Sequence, residues 1–230
     1  MRVPLIAVTA LLGCGEVKDG PADAPAGVDA PAVDAAPDAP ACPKTLLVGG
    51  TMVEPQGWSV VMQAPAAVTY GPDYVRLETS TPAGAGTSGQ LLLNFPGALP
   101  PPPFRLQVVL LVERVNPHNT SDAGAALMAS FTPPFGAGND RGQMIYLDGG
   151  AIGWAADDTP AFPATITNNA YHMVELAVDA GGAAQVKLDG AAALSRGGFV
   201  TNRAIAIGDQ TNDAAVDSAI RIRSVTLLCP

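Results

Sequence analysis

The sequence predicts an all-β fold, an antiparallel two-sheet β-sandwich, preceded by a segment that cannot fold. Three observations carry this. Residues 74–79, 175–179, 185–189 and 221–227 alternate apolar and polar side chains with the period of two that half-buried strands require. Turn-forming clusters, Asp148-Gly149-Gly150, Ala180-Gly181-Gly182 and Asp189-Gly190, punctuate the alternating segments. No stretch combines helical spacing with caps at both ends, so many short strands must pack without intervening helices, as in a sandwich or barrel.

The chain opens on a signal-like segment. Arg2 supplies a positive start, residues 3–12 are apolar, and Gly13 is the small residue that a peptidase pocket takes. Leu11-Leu12-Gly13-Cys14 resembles the cleavage box of bacterial lipoproteins, which makes residues 1–13 a signal peptide and Cys14 the lipidated first residue of the mature chain. The apolar run is short and contains Pro4, and an ordinary secretory signal or a buried first strand is the alternative. Spanning a bilayer takes about 20 apolar residues, more than this run offers. Gly15 stands where aspartate would favour inner-membrane retention. The expected location is therefore the cell envelope, with a lipid anchor in the outer membrane and the domain periplasmic or surface-exposed.

Residues 14–41 read as the lipidated cysteine and a linker. From Gly15 onward the linker is almost wholly Ala, Pro, Asp, Gly and Val, with Asp-Ala-Pro repeated at Asp23, Asp29 and Asp38. Such a composition buries too little apolar surface to offset its ordering entropy. Its prolines favour polyproline II, at about 3.1 Å per residue, so full extension reaches roughly 80 Å. The linker carries six acidic groups and one basic, against fifteen and ten in residues 42–230. The domain is thus mildly acidic and has no basic stripe, which excludes nucleic-acid binding as a role.

Residues 42–230 are long enough for one domain with a substantial core. The longer apolar runs, 90–95 and 104–115, are expected as central strands covered on both faces. With Cys14 assigned to lipid, Cys42 and Cys229 remain, and an even pair in an oxidising compartment should form a disulfide; two free thiols are the alternative. A bridge needs Cα atoms within about 7 Å, so the first and last strands would lie side by side.

Residues 171–179, Val186-Lys187-Leu188-Asp189-Gly190, Ile205-Ala206-Ile207-Gly208-Asp209 and residues 220–225 resemble the concanavalin A-like lectin/glucanase superfamily, most closely its laminin G-like jelly rolls. The resemblance is good over 165–228 and weaker over 58–155, where Trp58, Phe104 and Tyr146 mark earlier strands. It implies a jelly roll and leaves the function open, since these motifs are structural. Glycosidases of that superfamily set paired carboxylates on one strand face, about 5–5.5 Å apart in retaining enzymes. The domain's glutamates, Glu54, Glu78, Glu113 and Glu175, stand alone, and Glu175 and Asp179 lie about 13 Å apart along a strand. No enzyme is expected, and no cofactor is required.

Calcium is the one candidate metal, taking six to eight oxygens. Asp209, Asn212, Asp213 and Asp217 concentrate oxygen donors before the closing strand, although Asp and Asn are equally ordinary turn formers. Trp154, with Asp157 and Asp158 beyond it, is the candidate sugar platform; a core position is the alternative for a Trp at a strand end. The expected role is noncatalytic binding of a glycan or an envelope or extracellular protein partner, with a structural envelope role second and glycoside hydrolysis third.

Overall fold

A computed structural model describes residues 42–80, 89–119, 122–132, 143–155, 161–213 and 215–230. Residues Pro40–Pro230 form one compact unit. Two antiparallel sheets make it up, and the all-β sandwich expected from the alternation is what the chain adopts.

The first sheet contains β1 (Lys44–Val48), β3 (Ala67–Tyr70), β4 (Val75–Glu78), β6 (Phe104–Val115), β11 (His172–Val178), β12 (Ala184–Leu188), β13 (Ala191–Arg196) and β15 (Ser218–Leu228). Its order is β13-β12-β11-β6-β15-β4-β3, with β1 also paired to β15. The second sheet contains β2 (Ser59–Met62), β5 (Leu91–Phe95), β7 (Ala126–Met128), β8 (Ile145–Leu147), β9 (Ala151–Trp154), β10 (Phe162–Pro163) and β14 (Ile205–Asp209), in the order β10-β9-β8-β7-β14-β5-β2. Consecutive hairpins, β11-β12-β13 and β7-β8-β9-β10, adjoin long-range neighbours, β11-β6-β15-β4 and β7-β14-β5, as in a jelly roll.

Alternation fills the space between the sheets. Phe104, Leu106, Val108, Leu110 and Val112 of β6 point inward with Val174, Leu176 and Val178 of β11. Leu91, Leu93, Leu127, Ile145, Leu147, Ile152, Ile205 and Ile207 meet them from the second sheet. In β15 the inward residues are Ile220, Ile222 and then Val225, because a bulge between Ile222 and Ser224 adds one residue and resets the phase. Between β12 and β13 the turn is Asp189-Gly190, with φ of 51° and 85°. Two left-handed residues in succession are what a tight hairpin needs to match the strand twist.

The two long apolar runs differ in their outer faces. Leu91, Leu92 and Leu93 are all fully buried, so β5 is covered on both sides as expected. Leu92, Ala126, Met128, Tyr146 and Ala206 form a second apolar layer on the outer face of that sheet. In β6 the expectation needs correction: the strand is central, but its outer face carries Arg105, Gln107 and Glu113, which are only part-buried. Ion pairs rather than a covering layer satisfy that face.

The two ends of the described domain meet. Cys42 and Cys229 form a disulfide with Cα atoms 5.4 Å apart, and β1 pairs with β15 through Lys44↔Leu227 and Thr45↔Thr226. The outer edge of β1 is closed by side chains. Gln56 accepts the Val48 N–H at 2.7 Å and donates to the Val48 carbonyl at 3.1 Å, and the Trp58 indole donates to the Leu46 carbonyl at 2.8 Å. Unpaired strand edges invite pairing with other chains, and these contacts remove the invitation.

Candidate functional site

Polar side chains gather at one end of the sandwich, where β4, β6 and β14 finish and β15 begins. Thr79, Ser80, Gln90, Asp209, Gln210, Asp217 and Ser218 are all buried there. Buried polar groups are costly unless partnered, and nearly all are. Ser218 N–H donates to Thr79 Oγ1 at 2.8 Å, and Thr79 N–H donates to the Ser218 carbonyl at 3.0 Å. Asp217 accepts from the Ser80 hydroxyl and from Arg114 Nη1, the latter at 3.2 Å. Arg114 Nη2 also donates to the Ser80 carbonyl at 2.7 Å and to Glu78 Oε1 at 3.1 Å. Gln90 Nε2 donates to the Gln210 carbonyl at 2.9 Å, and Gln210 Nε2 donates to Asp122 Oδ1 at 3.0 Å.

Asp209 differs from the rest. It is fully buried; Oδ1 accepts the Thr211 N–H at 2.9 Å, whereas Oδ2 meets no hydrogen-bond partner within normal geometry among the described residues. Burial pushes its carboxyl well above the usual carboxylate range, and the charges of Asp217 and Asp122 add to this. The Thr211 amide and the nearby Thr79 hydroxyl oppose the shift and are outweighed.

The segment following β6 crosses the same end and forms a rim. Asn116 N–H donates to the Asp217 carbonyl at 2.9 Å. His118 N–H donates to Asp148 Oδ1 at 3.1 Å, and its Nδ1 lies 2.6 Å from Asp148 Oδ2. The imidazole stacks on Tyr146, with centroids 3.6 Å apart and planes at 15°. Asn119 Nδ2 donates to Asp213 Oδ2 at 3.3 Å and its Oδ1 accepts the Asp122 N–H at 3.0 Å. The rim therefore ties the β8–β9 turn to the loop between β14 and β15. Burial raises the Tyr146 phenol, as does the charge of Asp148, so the ring stays neutral. Tyr146 lies flat on the sheet because residue 153 is glycine: a Cβ there would sit 2.4 Å from the Tyr146 hydroxyl oxygen.

The four residues expected to hold calcium are not brought to one point. Asp209 is buried at the end of β14 and Asn212 is exposed. Asp213 accepts the Ala215 N–H at 2.9 Å in a turn, and Asp217 is committed to Ser80 and Arg114. Among the described residues no three of His, Cys, Asp and Glu are arranged to hold a metal ion. The donor set does not fit a calcium cage. Trp154 takes the core position that was the alternative to a platform. It is 2% exposed, faces the core from β9 and packs on Phe199, with the Arg196 guanidinium 5.0 Å from its ring centroid. Asp157 and Asp158 lie outside the described residues, as does Cys14.

Carboxylates on the outer face of the first sheet are bound to arginines. Arg76 bridges Glu78 at 2.6 Å and Glu113 at 2.8 Å, and Glu113 also pairs with Arg221. Arg105 pairs with Glu175 at 2.9 Å. The hydrogen bond from Arg76 holds the Glu78 carboxyl below its usual range and outweighs desolvation, which suits an ion pair and is opposite to a general acid.

No protein-family model matches the sequence, and no curated protein matches it at a significant level. Solved structures do match in fold. The exoplasmic/lumenal domain of VIP36 in its Ca2+/Man3GlcNAc-bound form superposes with a TM-score of 0.52 at 18% identity, covering 81% of this chain and 90% of that one. The Ca2+-bound form of the same domain gives 0.50 at 18%, over 80% and 89%. The carbohydrate esterase of Shiga toxin-encoding bacteriophage phi24B gives 0.51 at 14%, over 80% and 98%. Two interleaved antiparallel sheets, paired end strands and these neighbours together give the domain the concanavalin A-like lectin fold.

Proposed function

We propose that this chain is a noncatalytic carbohydrate-binding module held at the bacterial cell envelope by a lipid on Cys14 and the acidic linker of residues 15–41. One observation carries the binding reading: the fold is shared with a lumenal domain whose structure holds Ca2+ and Man3GlcNAc. The polar rim of His118, Asn119, Asp122 and Asp213 supplies hydrogen-bonding groups of the kind that sugar hydroxyls need. The engagement of every described Glu of the outer face with arginine supports binding without hydrolysis.

The test is a glycan array on the full chain in detergent, with calcium and with a chelator. Selective binding to one saccharide class is the expected result, and silence in both conditions overturns the reading. The calcium arm decides whether a metal takes part. Cys14→Ser should move the protein from the membrane fraction to the soluble fraction; retention in the membrane overturns the anchor. A structural envelope role is favoured by a different observation, the closure of the second sheet's outer face over Leu92, Ala126, Met128 and Ala206. An array silent for every saccharide would leave that reading standing.

A further inference from the structure

The described residues hold one imidazole fixed on two sides with its third left open. His118 Nδ1 lies 2.6 Å from Asp148 Oδ2, and a carboxylate can only accept, so Nδ1 carries the proton. The backbone N–H of His118 binds the other oxygen of the same carboxylate at 3.1 Å, so Asp148 grips both main chain and ring. One face of the imidazole is laid on Tyr146 at 3.6 Å. Tyr146 is itself held flat by the absence of a side chain at Gly153. Nε2 has no hydrogen-bond partner among the described residues, and the side chain keeps 30% exposure.

The backbone bond to Asp148 alone would tie this segment to the β8–β9 turn, and the ring contacts come in addition. A histidine that merely filled space would not require a dedicated carboxylate, a stacked phenol and a glycine beneath it. Such preorganisation is typical of a group whose remaining edge meets a ligand. In the neutral ring with its proton on Nδ1, Nε2 presents a lone pair to a hydroxyl donor. Asp122, Asp148 and Asp213 all belong to the same rim, and the chain's formal net charge is −9. An anionic ligand would meet repulsion there. Past Asp148 in the same turn, a Cβ at Gly150 would meet nothing within 4 Å.

We infer that His118 is a ligand-contacting residue for an uncharged saccharide, its Nε2 accepting a sugar hydroxyl, with Asp148 as the residue that positions it. This rests on the carbohydrate-binding reading above and names the group that makes the contact. Asp148 acts through His118, and Tyr146 supplies the surface on which the ring lies.

The experiment is isothermal titration of the full chain in detergent with the best uncharged oligosaccharide from the array, alongside a uronic-acid oligosaccharide. His118→Ala should weaken the uncharged ligand at least tenfold while the thermal midpoint moves little. Asp148→Asn should weaken it less, about threefold to tenfold. In that variant the imidazole 15N spectrum should change from a single Nδ1–H tautomer to a mixture, and the affinity should fall with it; a purely structural Asp148 would change the spectrum and leave the affinity as it was. Wild-type binding that His118→Ala leaves unchanged overturns the inference and leaves the carbohydrate reading intact. Preference for the uronic-acid ligand overturns the uncharged assignment. A wild-type chain silent toward every saccharide overturns both readings.

Discussion

Gln56 binds Val48 as a neighbouring strand would, accepting its N–H at 2.7 Å and donating to its carbonyl at 3.1 Å. The same Nε2 also reaches Met52 O at 2.9 Å and Thr51 Oγ1 at 2.8 Å, which fixes the amide in place. An edge strand at the chain's first pairing is thereby finished by a side chain.

Gln56→Ala should therefore cost about 1 kcal/mol, the net worth of such bonds at a partly exposed site. It should also open the β1 edge to other copies. Chemical denaturation reads the first effect, and light scattering against concentration reads the second. A variant as stable and as monomeric as wild type would show that the edge needs no cover.

Asp209 predicts a pH dependence. Its folded-state carboxyl is raised above the unfolded value, so the folded state holds the proton more tightly. Stability from this group is complete below the ordinary carboxylate range and declines as pH rises toward the raised value. Asp209→Asn keeps an oxygen for the Thr211 N–H and has nothing to ionise. The variant should lose that decline and exceed wild type in stability at pH 8. Thermal melts from pH 4 to pH 9 check this, and parallel wild-type and variant curves would refute it.

Arg114 and Asp217 predict a non-additive pair. The Asp217 side chain is 3% exposed, and Arg114 is the cation that reaches it. Arg114→Met strands a buried carboxylate and should cost about 3–5 kcal/mol. Adding Asp217→Asn should restore much of that loss, because the amide oxygen can still accept from Ser80. Urea titration of the two single variants and the double variant closes the cycle; simple additivity would exclude the pairing.

The disulfide closes a loop of sequence separation 187. Chain entropy alone assigns such a loop about 5 kcal/mol, and measured values fall in the range of about 2–5. Cys42→Ser with Cys229→Ser should lower the thermal midpoint by several degrees with the sandwich intact at low temperature, as circular dichroism and melting would show.

Strands were legible where the chain alternates, and the Asp189-Gly190 hairpin was legible because left-handed turns admit few residues. The pairing of Cys42 with Cys229 is expected once Cys14 is read as lipidated and the chain as exported, and the disulfide is present. The phase reset at Ile222 was not legible, since a bulge is an extra residue that alternation alone cannot reveal. Trp154 takes the core position that stood beside its reading as a platform: Ile152, Gly153 and Trp154 alternate, which sets the indole beside Ile152 on the inner face. The run from Asp209 to Asp217 looked like a single loop because oxygen-rich residues resemble one another in sequence. Burial separates its two ends from its middle, and burial depends on the other strands. His118 and Asp148 lie 30 positions apart, so no spacing rule could join them; only the crossing of the end of the sandwich does.

β15 begins beside Asp217 among the buried polar residues and finishes at Leu228, one residue before the cysteine bonded to Cys42. Tension applied between the rim and Cys42 would therefore run lengthwise through one strand of about 35 Å. That strand is bonded along its length to β6 on one side and to β4 and β1 on the other. Load in that direction shears many hydrogen bonds together instead of peeling them one at a time, so the strand that closes the sequence is also its tensile member.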